Sequence, residues 1–116
     1  MLFILIIMLF IDYFYLKLIS KSFKNMVKNI QKSNMELNYF GAFYSYFFLS
    51  FSLYYFIILP KKSLLDAFLL GLSIYGVFDG TNLAIFKNYQ LDLSIIDTLW
   101  GGCLYFLTTF IYYKLF

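Results

Sequence analysis

Asp12, Asp79 and Asp97 are the residues through which this chain could do chemistry, because each lies inside or at the edge of a long apolar block. A carboxylate facing lipid costs roughly 2.5–3.5 kcal/mol at the bilayer centre, so acids in such blocks turn inward. The chain has no histidine, the commonest metal ligand. That argues against His-based zinc sites and His-rich di-iron lipid-desaturase sites. Three carboxylates without histidine suit two chemistries. They could hold Mg²⁺ through oxygen ligands, or share protons, each acid raising its neighbour's hold on a proton. No resident metal and no cofactor is assigned on this pattern. The chain carries no P-loop, no HExxH and no Ser–His pair, so no reaction is named. Its single cysteine, Cys103, rules out an intrachain disulfide and reads as an inert packing residue.

Each acid also has a plainer reading. Asp97 follows Ser94 by three residues, the spacing of a capping box. Asp12 stands near enough to the end of its block to reach the interface. Asp79 is harder to explain away. It lies about two turns inside the C-terminal end of its block, where the helix dipole disfavours an anion and no cap is needed. Gly80-Thr81-Asn82 follow it, and a break at Gly80 would open backbone groups to the same place. The glycines at 76, 80, 101 and 102 read as close helix packing. At 100° per residue, Gly71, Tyr75, Asp79 and Asn82 share an arc of about 80°, and Tyr75 is an i,i+4 neighbour able to bond Asp79. Asp97, Gly101, Tyr105 and Thr108 make a second stripe. Tyr44 and Ser45 lie at similar depth in another block.

The elements that must position these residues follow from hydrophobicity. Of 116 residues 63% are hydrophobic, against roughly 45–50% in soluble domains. The apolar residues gather into blocks over 2–19, 37–59, 63–86 and 94–113, the second ending at Pro60. A span takes about 20 such residues. The predicted fold is all-α: a single integral-membrane four-helix bundle over residues 1–116. The first block lacks the basic start and small-residue cleavage site of a signal peptide, so it reads as a retained helix. Ser33…Glu36, Ser63…Asp66 and Ser94…Asp97 have capping-box spacing at the three later block starts. Aromatic residues make up 25% of the chain. That abundance alone carries no functional weight, because AT-rich codons would produce it.

Between blocks one and two, Lys17, Lys21, Lys24, Lys28 and Lys32 recur every third or fourth residue, within an arc of about 80°. Phe23, Met26, Val27 and Ile30 take the other side. This is a basic amphipathic segment, lying on the membrane surface or extending helix one. Its lysines either fix topology only or bind anionic lipid. Six of the nine lysines, these five and Lys87, flank the first and third loops; Lys61, Lys62 and Lys114 flank the other side. Lysine bias therefore predicts both termini outside or lumenal. Asp12, Asp79 and Asp97 then share the lysine-rich half. The bilayer is the expected partner, and no nucleic acid is.

The runs Tyr75-Gly76-Val77-Phe78-Asp79-Gly80-Thr81-Asn82-Leu83-Ala84 and Asp97-Thr98-Leu99-Trp100-Gly101 resemble a family of small, mostly bacterial membrane proteins, domain of unknown function 2177. Its members read Y-x-x-[YF]-D-x-T-N-L-A and then V-D-x-x-W-G. Asp12 beside Tyr13, Tyr44, and Pro60 at the end of helix two match the looser features. The resemblance covers nearly the whole chain. It implies four helices, brings Thr81, Asn82 and Trp100 into the candidate site, and implies no known activity. Two functions remain open. The cluster of Asp12, Tyr44, Tyr75, Asp79, Thr81, Asn82, Asp97 and Trp100 binds a small polar molecule, cation or lipid headgroup, in transport or lipid handling. Alternatively, the chain is a structural or interaction protein of a membrane or viral envelope, and its acids fix helix packing.

Overall fold

A computed structural model describes all residues, 1–116. It contains four helices and no strands: α1 (Leu2–Gln31), α2 (Tyr39–Leu53, prolonged by a π-helical turn over Tyr54–Ile58), α3 (Leu64–Ile85) and α4 (Leu91–Leu115). All four are long and apolar enough to cross a membrane. Large apolar side chains such as Phe10, Leu18, Phe43 and Val77 cover the outer surface. Water would penalise that surface, whereas lipid accepts it.

α1 is longer than its apolar block. Nothing in residues 20–31 breaks a helix, and α1 runs on to Lys32, which closes it in the left-handed region at φ 61°. The lysine-bearing segment is thus an extension of α1 in the structure. Its five lysines are exposed, Met26 is buried on the opposite side, and Phe23, Val27 and Ile30 are half-buried. Thirty residues make about 45 Å of helix, which matches the 45 Å long axis of the molecule.

Of the three expected capping boxes, only one supplies a serine cap. Ser63 caps α3 by accepting from the Asp66 N–H at 3.1 Å. Ser33 and Glu36 instead lie in the α1–α2 connection, and Asn38 caps α2 by accepting from the Gly41 N–H. α4 starts earlier than Ser94, after Gln90, whose N–H donates to the Met26 sulfur at 3.2 Å. Ser94 turns its hydroxyl back to the Gln90 carbonyl at 2.7 Å, as a mid-helix serine does. Asp97 therefore sits well inside α4, and capping does not explain it. α2 ends at Pro60, which cannot continue the hydrogen-bond ladder. Lys61 then takes φ 57°, and the Lys61 and Lys62 N–H groups bond Ile58 and Ile57 in a Schellman turn.

α4 is the central helix: 44% of its apolar stretch is buried, against 11–22% for the others. It packs closely on α3 and, on another side, on α1. Glycine makes the α3–α4 approach possible. A methyl added at Gly71 would stand 2.7 Å from the Tyr105 ring, one at Gly102 2.7 Å from Phe68, and one at Gly101 would overlap Tyr75. α3 stays helical through Gly80, where a side chain would meet open space, so the chain does not break there. Cys103 faces outward.

Candidate functional site

The helix faces bring the three acids together in one half of the bundle. Asp12 on α1 is buried at 5% exposure, Asp79 on α3 at 2% and Asp97 on α4 at 7%. Asp12 accepts the Trp100 indole N–H at 2.8 Å and the Tyr46 hydroxyl. Asp97 accepts the Tyr15 hydroxyl at 3.0 Å. The Tyr15 ring lies flat on Trp100, with centroids 4.7 Å apart and an interplanar angle of 4°. One aromatic stack therefore links Asp12 to Asp97. Asp79 accepts from Tyr89 at 3.1 Å and from Thr98, the chain neighbour of Asp97, at 3.2 Å. Asn82 joins one step further out, donating to the Tyr89 hydroxyl at 3.3 Å. Tyr89 sits in the α3–α4 turn, outside the spans. Burial pushes its phenol up to about 12, the Asn82 bond opposes this, and the Asp79 charge adds to the rise. Tyr89 therefore stays a neutral donor.

Every donor to these acids is a phenol, an indole or a hydroxyl. All nine lysines are exposed, so no ammonium balances the carboxyls. No trio of Asp, Glu, Cys or His lies close enough to share a metal ion. The acids form a line from Asp12 through Tyr15 and Trp100 to Asp97 and Asp79. That arrangement suits proton sharing better than the oxygen cage of Mg²⁺.

Asp12, Asp79, Asp97 and Trp100 thus bond directly within the network, and Asn82 bonds through Tyr89. Tyr75 lies beneath, its ring over Gly101; the partners of Asp79 are Tyr89 and Thr98 in place of Tyr75. Two expected members fall outside. Tyr44 is 57% exposed and packs with Phe40 and Phe48 on the outer face. Thr81 is exposed. Tyr46, two residues and about 200° further round α2 than Tyr44, takes the place expected for Tyr44. Tyr15, Tyr46, Tyr89 and Thr98 escape the sequence reading, the tyrosines because aromatic abundance alone marks no site. The available signal was spacing: Tyr15 stands three residues after Asp12 on one helix face, and Thr98 adjoins Asp97.

The family described as Predicted membrane protein (DUF2177) matches residues 1–113. No curated protein and no solved structure matches the chain.

Proposed function

Because the chain belongs to the DUF2177 family of predicted membrane proteins, whose description carries no activity, we propose a function from the site itself. The protein is a multi-pass membrane protein whose carboxyl cluster takes up a small polar group, whether a polar molecule, a cation or a lipid headgroup, in transport or lipid handling. One observation carries this reading: three buried acids from three helices meet without a basic partner. Such a set cannot be fully ionised cheaply, so it holds a proton, a cation or a donor from a ligand. Asp79 is its centre, bonded by Thr98 and by the Tyr89–Asn82 pair at the membrane edge.

The exposed lysine stripe of α1 supports two further parts of the proposal. The termini lie outside or in a lumen, and the stripe draws anionic lipid to the half that holds the cluster.

A second reading has its own support. The donors Tyr15, Tyr46, Thr98 and Trp100 come from three helices and Tyr89 from a turn. A network so distributed could serve only to lock helix packing in a structural or interaction protein. Cells carrying wild-type protein and Asp79→Asn separate the two when their lipids and metabolites are compared. Under the binding reading, Asp79→Asn removes the wild-type difference while the protein still inserts, and Asp66→Asn, an exposed residue at the start of α3, changes little. Identical profiles for wild type and Asp79→Asn would leave the packing role.

A further inference from the structure

The other half of the bundle also hides polar groups. On α4 the inward stripe continues past Asp97 and Gly101 to Tyr105, Thr108 and Thr109, all buried. The Tyr105 hydroxyl donates to the Leu49 carbonyl at 2.8 Å and stands 2.7 Å from the Ser52 hydroxyl on α2. Ser50, Thr108 and Thr109 are wholly buried, and their hydroxyls have no hydrogen-bond partner. At the far end, the Tyr113 hydroxyl donates to the Lys62 carbonyl at 2.7 Å.

Tyr75 stands between the two halves. Its ring covers Gly101, one turn from both Asp97 and Tyr105. It packs against the buried core to which Tyr105 belongs. From Asp97 to Tyr113, α4 rises about 24 Å at 1.5 Å per residue. The polar stripe thus covers most of the roughly 30 Å of hydrocarbon in a bilayer.

We propose that this series of carboxyls and hydroxyls carries protons across the membrane, between the Tyr89 end and the Tyr113 end. It rests on the cluster reading for its first step only, the uptake of a proton by Asp79 and Asp97. From there each oxygen accepts one proton and releases its own to the next. One proton enters, one leaves, and every residue returns to its starting form. The residue types fit this task. Hydroxyls and protonated carboxyls both donate and accept, whereas a lysine would trap the proton, and none is inside. The three unpartnered hydroxyls fit as well. A buried polar group without a partner is costly, and a passing proton or water would supply one.

The test uses the full chain in liposomes that enclose a pH-sensitive dye. A potassium diffusion potential set by valinomycin drives protons inward. Wild-type vesicles should acidify faster than protein-free ones. Asp97→Asn and Tyr105→Phe should fall to the protein-free rate, while Ser73→Ala, on the exposed side of α3, keeps the wild-type rate. Thr108→Val guards against loss of fold. It removes a hydroxyl that bonds nothing, so its thermal unfolding should match or exceed wild type, yet its flux should fall. Wild-type flux no faster than protein-free vesicles overturns the proposal. So does full flux in folded Tyr105→Phe and Thr108→Val. The metabolite comparison with Asp79→Asn judges the cluster reading separately, so either idea can fail alone.

Discussion

Tyr44 and Tyr46 differ by two positions on α2, and the step between them separates a lipid-facing ring from a partner of a buried acid. Tyr46 donates to Asp12; Tyr44 meets Phe40 and Phe48 at the surface. Tyr46→Phe would leave one Asp12 oxygen without its donor, a loss of about 1–3 kcal/mol for a buried polar group. Tyr44→Phe should stay within about 0.5 kcal/mol, as surface changes do. Thermal unfolding in detergent decides it, and equal losses would mean that Asp12 does not depend on Tyr46. The pair also marks what was legible residue by residue. Acids declare themselves, because lipid penalises every carboxylate that lacks a partner. The phenols that satisfy them do not. With 12 Tyr and 16 Phe in the chain, a functional tyrosine looks like any other, and only a contact across helices picks out Tyr15 or Tyr46.

At the scale of the helices, glycine marks where two backbones meet. Gly101 lies under Tyr75, and an added methyl there would overlap the ring, while at Gly80 it would meet nothing. Gly101→Ala should therefore cost about 1–3 kcal/mol through overpacking. Gly80→Ala should be neutral or stabilise by up to about 1 kcal/mol, the helix-propensity gain of alanine over glycine. Unfolding of the two variants in parallel checks the order, and the reverse order would contradict the α3–α4 packing. Capping gives a second contrast. Ser63→Ala should cost about 1 kcal/mol, and Ser33→Ala nothing measurable, because only Ser63 bonds a helix N–H. The spans were legible in the apolar blocks, since twenty apolar residues admit few other fates. Their ends were less so. A Ser-x-x-acid spacing states a local preference, and α4 starts ahead of it, next to where the Met26 sulfur accepts the Gln90 N–H, a contact between residues 64 positions apart that no local pattern contains.

Over the whole molecule, that same contact ties the lysine-bearing end of α1 to the α3–α4 turn. In a four-span protein both then belong to one side of the membrane. Cysteines placed at Ser22 and Lys87, in a Cys103→Ala background, should be labelled from the same side, and labelling from opposite sides would break the four-span topology. Which side that is depends on charge. Six lysines flank this end and three the other, and orientation follows the lysine excess near span ends. Replacing Lys21, Lys24, Lys28 and Lys32 with Gln leaves two against three, so the bias disappears. These side chains are exposed and bond nothing in the bundle, so the helices should still insert and pack. The expected result is a mixed population, with Lys87→Cys labelled from outside in some molecules and from inside in others, where the parent shows one orientation. If the variant kept the parent's single orientation, the stripe would not set the topology. The case for it would then rest on anionic lipid alone, where each lysine contributes about 1 kcal/mol.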